Sequence, residues 1–230
     1  LLDWLDVPRR HLVTGAEDFN RTVIHLLRHG EVHNPTGVLY GRIADFHLSE
    51  LGQQMAEMVA AHLADHDVTM VVASSLERAQ ETAAPIASAH GLSITTDDRV
   101  IEAENYFEGK RFGVGDGSLR YPKHWRKLVN PFRPSWGEPY EEIAERMLSA
   151  ITDARSKARG HEAVIVSHQL PVWTVRSKLE GRHLWHDPRK RECSLASLTS
   201  LTFLDDELES IAYSEPAVAL LPGARKTAGA

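Results

Sequence analysis

A single cysteine, Cys193, stands among 230 residues, so no internal disulfide braces the chain and burial must hold it together. Long apolar runs are missing too: none approaches the roughly 20 residues of a membrane helix, and no membrane partner is expected. No charged-then-apolar leader opens the chain, which makes the cytoplasm the expected compartment. An excess of positive charge is absent. Lys and Arg number 26 against 32 Asp and Glu, a net charge of −6 that argues against a general nucleic-acid binder. With no internal repeat and no linker, residues 1–230 read as one domain with its core at about 22–213.

Two features stand out against these absences. From Lys110 to Arg133 there are seven cations (Lys110, Arg111, Arg120, Lys123, Arg126, Lys127, Arg133) against one acid, Asp116, a basic island of +6 in an acidic chain. There are also thirteen histidines, and imidazole is the side chain most often used for chemistry near neutral pH.

Hydrophobic spacing outlines the elements. Residues 22–27 form a short apolar run that stops at Arg28-His29-Gly30, as a buried strand feeding a loop does. Ser49 can cap a helix whose stripe is Leu51, Met55, Met58, Val59 and Leu63. Residues 68–73 read as a strand, and Leu76, Ala79, Ala83, Ile86 and Ala87 as a helix that Gly91 ends. Strands are expected at 92–96 and 99–103. Residues 104–138 then form an insertion rich in glycine and proline. Pro139 suits a first helical position, ahead of a stripe through Ile143, Met147, Leu148 and Ile151 that runs to Gly160. A buried strand at 163–166 meets Ser167-His168, a helix follows near 172–179, and strands are expected at 197–204 and 208–213. The tail, 215–230, reads as loose. Alternating strands and helices predict an α/β fold of three layers, a mostly parallel sheet with helices on both faces.

In such sheets ligands bind beyond the carboxyl ends of the strands. Arg28-His29, Ser74-Ser75 leading to Arg78, and Ser167-His168 each follow a strand. Two histidines and two arginines at one sheet edge suit a phosphate dianion, because guanidinium offers a planar fork that matches phosphate oxygens.

Four segments resemble the histidine phosphatase superfamily, also called phosphoglycerate-mutase-like. They are Leu27-Arg28-His29-Gly30-Glu31, Leu48-Ser49-Glu50-Leu51-Gly52, Ser74-Ser75-Leu76-Glu77-Arg78-Ala79-Gln80-Glu81-Thr82-Ala83, and Val166-Ser167-His168, in the family's order from residue 23 to about 213. The resemblance implies that His29 attacks phosphorus, that Arg28, Arg78 and His168 neutralise the phosphoryl oxygens, and that Glu102 protonates the leaving oxygen, with Glu104 as the alternative donor. It implies no metal and no cofactor. Asn34 lies five residues after His29 where the family commonly has asparagine at six, and is a candidate substrate contact. Gln169-Leu170 stands where the family usually has glycine. Arg126 and Arg133 are candidates to hold a second acidic group of the substrate, the alternative being a solvated cationic loop.

The family's glycolytic mutases carry a Gly-Trp-x-Asp segment and an Arg-Arg pair in the insertion. Gly41-Arg42-Ile43-Ala44-Asp45 lacks the tryptophan, which leans toward hydrolysis of a small phosphate ester. A phosphomutase and a non-catalytic phospho-ligand module are the alternatives. His33 and His47 lie in the first long loop, within possible reach of substrate. His62 and His66 have the spacing of a helical metal pair but no accompanying acid or third ligand in sequence, and read as a solvated helix end. His183, Trp185 and His186 near Arg189-Lys190-Arg191 read as a surface loop, with a loop folding back toward the pocket as the alternative, and Cys193 as buried.

Overall fold

The structure is a computed structural model and describes residues 21–110 and 137–224. Its centre is strand β1 (Arg21–Arg28), six of whose eight residues are buried. Around it a six-stranded sheet runs β3 (Ile94–Thr96), β2 (Val68–Ala73), β4 (Glu162–Ser167), β1, β5 (Leu198–Leu204), β6 (Glu207–Ser214). The first four of these strands are parallel, and β5 and β6 add an antiparallel hairpin.

Alternation along the strands divides the core into two. Leu27, Val164 and Val166 face α1 (Glu50–Leu63) and α2 (Glu77–Ala89). Ile24, Leu26, Ala163 and Ile165 face α3 (Tyr140–Lys157) and α4 (Gln169–Leu179). A sheet covered on both faces must be apolar on both, which is why its strands read as continuous hydrophobic runs. Among the described residues no helix is long and apolar enough to cross a membrane.

Four expectations change. Residues 99–103 are not a strand: the Asp97 side chain accepts a hydrogen bond from the Arg99 amide and winds Asp98–Val100 into a 3-10 turn. The strand expected from residue 92 begins at Ile94, because Gly91 at φ +66° closes α2 and the Leu92 amide returns to the Ala87 carbonyl. Pro139 sits just before α3 as its N-cap, at ψ 135°. The tail is not loose as far as Ala224. Ala217 is buried, a 3-10 segment covers Val218–Gly223, and Leu220 and Leu221 pack on the α1/α2 side of the core.

The insertion departs and returns through an antiparallel bridge between Asn105 and Gly137. Most of it, with Arg126, Arg133 and the rest of the basic island beyond Lys110, lies outside the described residues.

Candidate active site

Strand order brings the carboxyl ends of β1, β4 and β2 side by side, and the ladder continues one step beyond them. The His29 amide donates to the Ser167 carbonyl and the Ser74 amide to the Val166 carbonyl, each at 3.1 Å. His29, His168 and Ser74 are thereby neighbours, all fully buried, with the two imidazole centroids 5.1 Å apart.

The loop after β1 is pressed against the start of α1. A Cβ on Gly30 would stand 2.6 Å from the Gly52 carbonyl oxygen, and one on Gly52 would stand 2.0 Å from that of Glu31, so both positions require glycine. Ser49 caps α1 by accepting from the Gly52 amide at 3.0 Å and donates to the Glu31 carboxylate at 2.5 Å. This contact fixes the turn in which the His29 Nδ1–H donates to the Gly30 carbonyl at 2.8 Å. The other nitrogen, Nε2, is buried and has no hydrogen-bond partner. Burial, then Arg78, then Arg28 hold the imidazole well below 6.5, so it is neutral with its lone pair on Nε2.

His168 is neutral for similar reasons, burial first and then Arg78 and His29. Its Nε2 lies 2.7 Å from the Ser74 hydroxyl, which itself accepts from the Leu76 amide at 3.4 Å. The other ring nitrogen, Nδ1, is buried and has no hydrogen-bond partner.

Arg78, on the first turn of α2, is fully buried. One nitrogen donates to the Gly41 carbonyl, the guanidinium lies 4.7 Å from the Tyr40 ring centroid, and Nε and Nη1 have no partner. Arg28 donates to the Cys193 carbonyl at 2.7 Å and keeps its Nε unpartnered. Neither guanidinium has an ion pair among the described residues. Unpartnered guanidinium donors around a neutral imidazole are chemically suited to a tetrahedral dianion.

Glu102 follows the 3-10 turn, which the Ser167 hydroxyl pins to β4 through the Val100 carbonyl at 2.7 Å. It is 3% exposed. One carboxyl oxygen accepts from the Ala103 amide at 2.8 Å, while the other is buried without a partner. Burial raises its pKa above 4.5, outweighing the Ala103 amide and the cations Arg78, Arg191 and Arg28. Glu104 is separated from this site: its side chain is 72% exposed and pairs with Arg42 at 3.0 Å.

Among the other expected residues, Asn34 turns inward on its own loop. Its Nδ2 donates to the Val38 carbonyl and its Oδ1 accepts from the Val38 amide and the Thr36 hydroxyl, so it closes the turn. His47 pairs with Glu81, and His33 is exposed. Cys193 is buried, as expected.

Three residues escaped the sequence reading. Tyr40 is buried beneath Arg78. Arg42 donates through Nε to the Glu102 carbonyl at 2.6 Å and through Nη2 to Glu138 at 2.9 Å, holding the acid's backbone. Arg191 folds back from the loop read as surface, donating to His186 at 2.8 Å and to Gln169 at 3.2 Å, and its charge acts on Glu102 and Arg28. Its signal was the basic run immediately ahead of the apolar, buried Cys193.

The sheet gathers two neutral histidines, a buried carboxyl and two arginines without an ion pair among the described residues at the carboxyl ends of its parallel strands, in an α/β fold. The chain belongs to the histidine phosphatase superfamily (branch 1), whose family profile matches residues 24–215. It is 58% identical over 196 residues to the uncharacterized protein Rv0525 of Mycobacterium tuberculosis (strain ATCC 25618 / H37Rv), covering 85% of this chain and 97% of that one. A probable phosphoglycerate mutase GpmB of Yersinia pestis (strain Pestoides F) is 32% identical over 181 residues, covering 75% and 82%. The fold matches Bacillus stearothermophilus YhfR with a TM-score of 0.69 at 22% identity, covering 84% of this chain and 96% of that one. It also matches the mycobacterial glucosyl-3-phosphoglycerate phosphatase Rv2419c with a TM-score of 0.65 at 22% identity and the same coverage.

Proposed function

We propose that the protein is a phosphomonoester hydrolase that works through a phosphohistidine on His29, with a small phosphate ester as substrate. The observation that carries this reading is the state of His29: neutral, oriented through Nδ1 by the Gly30 carbonyl, and bare at Nε2 beside two guanidinium groups that have no counter-ion among the described residues. Nε2 attacks phosphorus as the ester P–O bond breaks. Arg28, Arg78 and His168 take the charge spread over the phosphoryl oxygens. Glu102, protonated, gives its proton to the leaving oxygen. As carboxylate it then takes a proton from water, whose oxygen displaces His29 and releases inorganic phosphate. These steps use only this chain's side chains.

Rapid quenching in alkali, which preserves a phosphorus–nitrogen bond, tests the intermediate directly. Labelled substrate is expected to leave label on His29 in the wild type and none in His29→Ala, with turnover falling at least about a thousandfold. A loss of less than about tenfold overturns the assignment, and absence of turnover in the wild type across a panel of phosphate esters points instead to a phospho-ligand binding module. The relative named as a probable phosphoglycerate mutase favours a second reading, in which the phosphoryl group returns to the reoriented product. With 3-phosphoglycerate and a bisphosphate primer, free phosphate supports hydrolysis, whereas isomer without phosphate supports the mutase.

A further inference from the structure

The pair His62 and His66 lacks a third ligand in sequence, but the fold brings one to it. His66, in the turn after α1, places Nδ1 2.8 Å from Oε2 of Glu162, the first residue of β4. His25, within β1, places Nε2 2.8 Å from the same oxygen. One ligand atom from each of the three residues lies within 4.8 Å of the others. His62 stands beside them, its ring 5.9 Å from that of His66. We propose that His25, His66 and Glu162 form a binding site for a divalent transition metal ion of the zinc class, separate from the active site.

The donor chemistry selects the class. Two imidazoles and one carboxylate are a zinc-type set, whereas magnesium and calcium take oxygen-only shells. The geometry is held in advance. Glu162 is fixed between two strands, in register with Val23 of β1 and Val68 of β2, and its amide donates to the Asp67 carbonyl at 2.9 Å. His25 is 5% exposed, and its far nitrogen, Nδ1, lies 2.8 Å from the Ser200 hydroxyl. A hydroxyl both donates and accepts. In the metal-free protein Ser200 serves the tautomer whose Nε2–H faces Glu162. With a metal bound it accepts from Nδ1–H and leaves the Nε2 lone pair to the ion, the outer-shell role that metal-bound histidines require. His66 has a half-exposed side chain and provides the way in.

Position makes the site independent of catalysis. Glu162 opens the strand that Ser167 closes, so the cluster lies about 16 Å down the sheet from the phosphate pocket at ~3.3 Å per residue. An ion there would clamp the α1–β2 turn to β1 and β4, and its energetic effect would appear as stability.

The test uses the full chain, free of any affinity tag, stripped with chelator and titrated with Zn²⁺ by calorimetry alongside thermal unfolding. The active-site histidines are the competing ligands, so His29→Ala is the control. Expected is one saturable site, with Tm raised by about 5–10 °C at a hundredfold excess over Kd. Both effects should persist in His29→Ala, while His66→Ala and Glu162→Gln weaken binding at least tenfold with unchanged circular dichroism. His66→Ala should keep wild-type turnover of a phosphate ester. Equal affinity in wild type and His66→Ala overturns the proposal, as does binding lost in His29→Ala but kept in His66→Ala. So does the absence of saturable binding below about 100 µM Zn²⁺. The binding and Tm outcomes concern the metal alone and stand whether or not the hydrolase reading holds; only the turnover of His66→Ala rests on it.

Discussion

At neutral pH a free imidazole still carries some proton and a free carboxyl carries almost none, the reverse of what a nucleophile and a proton donor require. Burial inverts both here: His29 is pushed well below 6.5 and Glu102 above 4.5, in each case with desolvation as the largest cause. The pH profile of kcat/KM should therefore rise on an acid limb below pH 6.5, as His29 loses its proton, and fall on an alkaline limb as Glu102 ionises. Glu102→Gln should lower kcat by about 10²–10⁴-fold and erase the alkaline limb; an unaltered limb would give the donor role to another group. The same shifts bear on stability. An unfolded His29 or His168 titrates at its ordinary value while the folded one stays neutral, so the unfolded chain binds more protons and stability falls as the pH drops below 6.5. Urea titrations at pH 7 and 5.5 should show that fall, and it should be shallower in His168→Gln. Sequence singles out Arg28, His29, Arg78 and His168 at or just beyond strand ends, and the fold brings their strands together. It favours Glu102 and keeps Glu104 as the alternative, since residues two apart share a face in extended chain; the fold buries Glu102 and leaves Glu104 exposed against Arg42.

Elements that bury one periodic stripe were readable to within a residue or two. Strands β1, β2 and β4 and helices α1 and α2 follow apolar spacing that no distant contact overrides. The segment at 99–103 was misread because its conformation is set by one side chain, Asp97, and by the Ser167 hydroxyl from another part of the chain. Packing of the His29 loop against the start of α1 is likewise tertiary, and it yields a sharp expectation. Gly52→Ala would drive a Cβ into the Glu31 carbonyl oxygen at 2.0 Å, a backbone atom that cannot swing aside. It should cost several kcal/mol of stability and lower kcat by moving the His29 turn. Ser49→Ala removes a cap and a hydrogen bond to Glu31 without a clash, and should cost only about 1–2 kcal/mol. Urea midpoints rank the two variants, and equal effects would mean that the close approach relaxes freely.

Over the whole molecule, sequence composition misjudged segments whose order comes from where the chain returns. The loop around Arg191 and the tail from Glu215 are polar or small-residue stretches with no period of their own, yet both come back to the body of the protein. Arg191 closes on Gln169 beside the pocket. Glu215 accepts from the Ser194 and Tyr213 hydroxyls at 2.6 and 2.7 Å, directing the chain toward α1, where Ala217 is 1% exposed and Leu220 and Leu221 cover the core. The segment thus supports the helix whose start braces the His29 turn, with Gly223 lying against Leu51. Removing residues 217–230 exposes this apolar face and should cost about 2–4 kcal/mol, lowering Tm by about 5–15 °C. His29→Ala is expected to show the opposite pattern, with turnover abolished and Tm shifted by no more than a few degrees, because it empties the pocket and leaves the α1 face covered. Differential scanning calorimetry of the two variants separates support from chemistry. An unchanged Tm in the truncated chain would restore the loose tail that composition suggests and leave α1 held by α2 and the sheet alone.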